Sequence, residues 1–227
     1  MPEFAPDFVQ PLQVLVTAGP TREYIDDVRY LTNRSSGRMG IELARAMAAT
    51  GARVTLVAGP CEVPLPWDEP RITVVEVVSG QQMFDAVADR FARCDVFVSA
   101  AAVADYRPTH RVEGKLKKTD SALQLELEPN PDVLLEMGQR RTSDHFIVGF
   151  ALEVADAGAN ARSKLNRKNC DVIVLNSPAN FGLRTSELRL IGPEGEFEKL
   201  IAPDKTTLAE RLCSALMARR AGSLASA

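Results

Sequence analysis

Val14-Leu15-Val16-Thr17-Ala18-Gly19-Pro20 is a short, β-branched apolar run that stops at a glycine–proline turn. A run of this length bounded by a turn is the pattern of a buried strand in a parallel sheet. Comparable runs recur at Arg53–Val57, Ile72–Val77, Val96–Ala100, Phe146–Phe150 and Val172–Asn176. Helical patterns lie between them: Gly37–Thr50 places Met39, Leu43 and Met47 one turn apart, and Gln81–Arg93 does the same with Phe84, Val87 and Phe91. Asn130-Pro131 has the form of an N-cap followed by a first-turn proline, opening a helix to Arg140. A further helix is expected from Glu153 to Lys168, and Asp204 caps the last one, with Leu208, Leu212 and Leu216 on its inner face. Strands alternating with helices predict an α/β fold, Rossmann-like and doubly wound around a mostly parallel sheet.

Two segments depart from that alternation. Arg107–Pro129 is a charged loop followed by the alternating Ala122–Leu127, read as a projecting hairpin or flap. Ser186–Ile191 and Glu196–Ile201, separated by Gly192-Pro193-Glu194-Gly195, predict a C-terminal antiparallel hairpin at the sheet edge. The 227 residues suit one domain over 1–227, with 1–11 a leader, 107–129 an insertion and 221–227 a frayed tail.

Composition narrows the class. With 45% hydrophobic and 25% charged residues, the chain can build a sizeable core, which excludes disorder. A formal charge of −3 gives no basic excess for nucleic acid or a membrane surface, so a bound anion must be held locally. Cys61, Cys94, Cys170 and Cys213 have neither zinc spacing nor pairing, and are expected reduced. The first residues lack a signal-peptide pattern and no apolar run approaches about 18 residues, so a cytoplasmic location is expected.

Ligands of a doubly wound sheet sit beyond the carboxyl ends of its strands. The loop after Thr17 leads to Ser35, Ser36 and Gly37, whose hydroxyls and helix-start N–H groups form either a phosphate seat or an ordinary capped helix. G-x-x-x-x-G-K-[ST] and G-x-G-x-x-G are both absent, and Val57-Ala58-Gly59 lacks the acid that holds an NAD ribose, which disfavours an NAD(P)-dependent reductase. The fourth strand delivers Ser99, Ala100, Ala101 and then Asp105: small residues that admit a ring or ribose with a carboxylate for a sugar or metal, or a packed loop with a helix cap. Lys115-Leu116-Lys117-Lys118 is either a solvated face or a set of cations for a polyphosphate, and Lys164 and Lys168 divide the same way. With His110 and His145 the only histidines, and no H-E-x-x-H or G-x-S-x-G, covalent serine chemistry and zinc hydrolysis are poor fits.

Asn33-Arg34-Ser35-Ser36-Gly37-Arg38-Met39-Gly40 resembles the N-x-S-S-G-x-M-G signature of the bacterial phosphopantothenoylcysteine synthetases, the second half of a bifunctional coenzyme A enzyme. Ala101–Tyr106, Lys115–Lys118 and Asn130-Pro131-Asp132-Val133 resemble three further motifs of that family, in the same order, within a match from Leu12 to Leu216. The resemblance implies a ligase that activates 4′-phosphopantothenate with CTP as an acyl-cytidylate, which cysteine converts to the amide. It implies Asn33, Lys115 and Arg29 as catalytic residues. For CTP it implies Ser35, Ser36, Gly37, Ser99, Ala100, Ala101, Asp105, Lys115, Pro131, Asp132, Val133, Leu134, Phe150, Lys164 and Lys168. It further implies Mg²⁺ accompanying the triphosphate, with Asp105 as its candidate ligand, and a homodimer in which 107–129 closes over the site. Bacterial members usually carry an N-terminal flavin-dependent decarboxylase domain, and here about 11 residues precede the first strand, so the chain is read as either a stand-alone synthetase or an excised domain, with a separate flavin-dependent decarboxylase as a candidate partner and no FMN expected. The alternative is a non-catalytic nucleotide-binding module of the same fold.

Overall fold

The computed structural model describes residues 10–152, 157–176 and 186–225. The chain opens with β1 (Gln13–Ala18), then two short strands, β2 (Arg22–Tyr24) and β3 (Tyr30–Thr32), that pair as an antiparallel hairpin. Helix α1 (Arg38–Ala49), β4 (Arg53–Ala58), β5 (Ile72–Glu76), α2 (Gly80–Phe91) and β6 (Val96–Ser99) follow. After β6 come β7 (Tyr106–Pro108) and β8 (Leu127–Pro129), α3 (Val133–Gln139), β9 (Phe146–Leu152), α4 (Ala157–Arg167) and β10 (Val172–Asn176). The chain ends in β11 (Ser186–Gly192), β12 (Gly195–Ala202) and α5 (Lys205–Ala225).

The eight-stranded sheet has the order β12-β11-β10-β9-β6-β1-β4-β5. From β5 to β10 every pairing is parallel, and β11 and β12 add to the edge in antiparallel register. This is the expected doubly wound sheet with its C-terminal hairpin. One face is covered by α1 and α5, burying Ile41, Leu43, Met47, Leu208, Leu212 and Leu216 against Val16, Val54 and Val98. The other face takes α2, α3 and α4, with Met83, Val87, Phe91, Met137 and Leu165 against Leu15, Phe97 and Ile147. Each such apolar side chain contributes roughly 1.5–3 kcal/mol on full burial.

Helix starts follow local chemistry. Ser79 and Gln82 form a reciprocal capping box on α2, and the Asp204 carboxylate accepts the Thr207 N–H at 2.8 Å at the start of α5. The expected cap of α3 moves two residues: Asp132, not Asn130, accepts the Leu135 N–H at 3.1 Å, because Asn130 is engaged with the loop after β6. The flap has a two-stranded base, β7 with β8, but of the alternating Ala122–Leu127 only Leu127 is in a strand. The start of the expected Glu153–Lys168 helix lies outside the described residues up to 156; α4 begins at Ala157. Helix α5 continues to Ala225 with residues 221–225 exposed. His145 is structural: its ring stacks on Phe91 at 4.3 Å, Nδ1 accepts the Thr142 N–H and Nε2 donates to the Phe91 carbonyl.

Candidate active site

β1 and β6 are neighbours, yet the chain leaves β1 toward β4 and leaves β6 toward β9, which makes their carboxyl ends the switch point of the sheet. The two loops departing from it are joined by hydrogen bonds. Thr17 Oγ1 accepts the Ala101 N–H at 3.1 Å, Gly19 O accepts the Ala102 N–H at 2.8 Å and Thr21 Oγ1 accepts the Ala104 N–H at 3.0 Å. Asn33 completes the joint: its Nδ2 donates to the carbonyls of Ala102 at 3.2 Å and Val103 at 3.0 Å. The N-x-S-S-G and A-A-V-A-D motifs are thereby held against each other.

The cap of α1 is Gly37, in the left-handed region at φ 77°. A glycine cap offers no side-chain acceptor, so no cap side chain bonds the first turn of this twelve-residue helix at the positive end of its dipole. Ser35 Oγ and Ser36 Oγ lie at the same turn, accepting the Gly37 and Arg38 N–H groups at 3.3 and 3.4 Å. Behind the turn stands Cys61. A Cβ placed on Gly19 would come to 2.7 Å from Cys61 Sγ, and one on Gly37 would overlap the same sulfur. The next residue, Glu62, donates its N–H to Ser36 O at 3.2 Å. Burial pushes the Cys61 thiol up to about 11, so it packs as a neutral side chain.

A second group of expected residues gathers at the start of α3. Asn130 ties it to the switch point, donating from its backbone to Asp105 O at 2.8 Å and from Nδ2 to Ala104 O at 2.9 Å. Lys168, 9% exposed, is ion-paired with Asp132 at 2.8 Å, and Lys164 Nζ donates to Phe150 O at 2.9 Å. Burial alone raises the Asp132 carboxyl, but the Lys168 hydrogen bond, the Leu135 N–H and nearby positive charge hold it below the ordinary carboxylate value. Val133 and Leu134 point into the core, so their side chains are not available to a ligand. Ser99 and Ala100 lie at the end of β6, half-buried. Asp105 is exposed, and among the described residues no three His, Cys, Asp or Glu side chains cluster as a metal site.

At the root of the flap the Arg29 guanidinium donates to the backbone carbonyl of Leu116, the residue after Lys115, at 3.1 Å. Lys117 and Lys118 are exposed. A cleft of about 480 Å³ lies beside these groups rather than at them, lined by Arg22, Tyr24, Ser79, Arg107 and Arg111 among others. Thr17, Thr21 and Asp26 were not singled out from the sequence, although each organises the site. The short polar residues after a strand end were the available signal.

The family model for the DNA/pantothenate metabolism flavoprotein C-terminal domain matches residues 9–219. The coenzyme A biosynthesis bifunctional protein CoaBC of Vibrio vulnificus strain YJ016 is 43% identical over 199 residues, covering 85% of this chain and 49% of the relative. A cysteine/cysteine sulfinic acid decarboxylase from an unknown prokaryotic organism is 44% identical over 191 residues, covering 82% of this chain and 53% of that protein. The chain thus spans about half the length of the curated relatives it matches. A crystal structure of the C-terminal domain of CoaBC superimposes with a TM-score of 0.73 at 34% identity, covering 91% of this chain and 94% of that one.

Proposed function

From the premise that this chain belongs to the family of DNA/pantothenate metabolism flavoprotein C-terminal domains, we propose that it is the ligase of coenzyme A biosynthesis. In this reading it joins 4′-phosphopantothenate to cysteine with CTP. The observation that carries it is that three motifs separate in sequence are bonded together at the switch point, while the fourth, Lys115–Lys118, is fastened to the turn between β2 and β3. Asn33 bonds to Ala102 and Val103, Asn130 bonds to Ala104 and Asp105, and Arg29 bonds to the Lys115-Leu116 segment.

Each group has a task. The open end of α1 with Ser35, Ser36 and Gly37 receives phosphate oxygens, and the small residues Ser99–Ala101 leave room for a nucleoside beside Asp105. Lys164, held by Phe150 O, contributes positive field, while Lys168, whose charge is matched by Asp132, fixes the start of α3 for the nucleotide. The substrate carboxylate attacks the α-phosphorus, forming the anhydride P–O bond as the bond to pyrophosphate breaks. Lys115 and Arg29 offset the negative charge that builds on the phosphates. The cysteine amine then attacks the acyl carbon, CMP departs and the amine gives up its proton. Asn33, at the junction of both loops, holds the acyl-cytidylate between the steps. The exposed Asp105 carboxylate would hold Mg²⁺, an ion that commonly takes one or two carboxylates beside substrate phosphates and would offset their charge. We assign the exposed Val28, Tyr106 and Leu123 to contact with a second copy of the chain, with the flap closing over the site and excluding water from the anhydride. The expected setting is the cytoplasm.

The test is pyrophosphate release from the purified chain with CTP and Mg²⁺. It should require 4′-phosphopantothenate, with CMP appearing once cysteine is added. CTP binding by calorimetry without pyrophosphate would favour the non-catalytic module. CO₂ release from cysteine without pyrophosphate would favour the activity named for the decarboxylase relative.

A further inference from the structure

The side chain of Asp26 has no exposed surface, yet it lies in a polar turn and belongs to neither hydrophobic core cluster. Its two oxygens divide their work. Oδ1 accepts the N–H groups of Val28 at 2.8 Å and Arg29 at 2.7 Å, closing the turn between β2 and β3. Oδ2 accepts the N–H of Leu116 at 3.0 Å, 90 positions along the chain, and the Arg29 guanidinium stands 3.7 Å from the same oxygen. Asp27 repeats the arrangement one residue later. Its Oδ2 accepts the Gly114 N–H at 2.8 Å, its own N–H donates to Gly114 O at 3.0 Å, and its Oδ1 takes the Arg111 guanidinium at 2.8 Å. The backbone on both sides of Lys115 is therefore fastened to two consecutive carboxylates, although the Lys115 side chain is exposed like those of Lys117 and Lys118.

We propose that Asp26 is a positioning residue for the ligase reaction: one buried carboxylate that holds Lys115 and Arg29 in a fixed relation, so that both cations meet the same phosphate charge. The proposal rests on the ligase reading. Its physical basis is preorganisation. A lysine on a long exposed flap loses much freedom when it engages a substrate, and anchoring the backbone beside it removes most of that loss beforehand. A carboxylate is suited to the task because it accepts on both oxygens. Burial raises its pKa, and the Val28, Leu116 and Arg29 N–H groups with the Arg29 charge bring it below the ordinary value, so it stays ionised.

Asp26→Asn separates the two halves of this role. The amide oxygen can still accept from Val28 and Arg29, whereas the amide NH₂ would face the Leu116 N–H, donor against donor. Pyrophosphate release is measured for the unaltered chain, Asp26→Asn, Lys115→Gln and the double variant, alongside site-resolved tryptic cleavage of the Lys115–Leu116 bond. We expect Asp26→Asn to lower kcat about tenfold when Lys115 is present and less than about twofold in the Lys115→Gln background. Cleavage at Lys115–Leu116 should accelerate at least about fivefold over cleavage at Lys117. In case Asp26→Asn folds poorly, Leu116→Pro deletes the donor and leaves the carboxylate, and its kcat should fall in the same way. Equal fold-losses in both Lys115 backgrounds, or an unchanged cleavage ratio in Asp26→Asn, overturn the proposal. Absence of pyrophosphate from the unaltered chain overturns the ligase reading and the catalytic role with it, while the cleavage ratio still decides whether Asp26 anchors the flap.

Discussion

Replacing Gly37 with alanine tests how tightly the phosphate turn is built. Two costs arise from separate causes. The left-handed backbone at φ 77° strains any residue with a Cβ by roughly 1–2 kcal/mol. The new methyl also overlaps Cys61 Sγ and comes to 3.1 Å from both Cys61 Cβ and the Gly19 Cα. Overpacking of this kind costs about 1–3 kcal/mol. The sum, about 2–5 kcal/mol, is a large part of the 5–15 kcal/mol typical of a folded domain. Cys61→Ala removes the sulfur, the worst of these contacts, and leaves the backbone strain in place. In urea unfolding followed by circular dichroism, Gly37→Ala should therefore be the least stable of the set. Adding Cys61→Ala should restore about 1–3 kcal/mol, although Cys61→Ala alone costs about 1 kcal/mol. If the two changes add to within about 0.5 kcal/mol, Cys61 does not brace this turn and the packing argument fails.

Three other perturbations have defined outcomes. Asn33→Ala removes two hydrogen bonds across the switch point, at a cost of about 1–2 kcal/mol, and should impair amide formation more than CTP affinity; a parallel loss of CTP affinity in calorimetry counts against that division. The Asp132 carboxyl is held below its ordinary value, so its contribution is present above about pH 4 and lost as pH falls through the lowered value; Lys168→Met should raise the midpoint of acid unfolding, and an unmoved midpoint would refute the pairing. With its thiol near 11, Cys61 should react with iodoacetamide at pH 8 on the order of a hundredfold more slowly in the folded chain than in urea, and equal rates would show that it is not buried as described.

What could be read from sequence follows the range of the interactions. Val14–Thr17, Arg53–Val57 and Val172–Asn176 are apolar runs between breakers, and their strands lie within one or two residues of expectation. Arg22–Tyr24 and Tyr30–Thr32 carry no periodicity over three residues each, and their hairpin is set by Asp26, so it went unread. The alternation of Ala122–Leu127 predicts a strand only where a partner buries one face; Leu123 and Leu125 remain 59% and 40% exposed. The Ser35–Gly37 turn was legible because its chemistry is local. Thr17, Thr21 and Asp26 were not, because their partners stand 84, 83 and 90 positions away.

The bonds from Asn33 to the carbonyls of Ala102 and Val103 act as a latch between two loops. A molecule that recruits this amide exchanges hydrogen bonds rather than adding them, and frees two carbonyl oxygens as it does so. Its occupancy and the parting of the loops then form a single equilibrium. Compounds that engage Asn33 should bind less tightly than their contacts suggest and loosen the Ala102–Val103 segment, whereas compounds that pass it by should leave that segment protected.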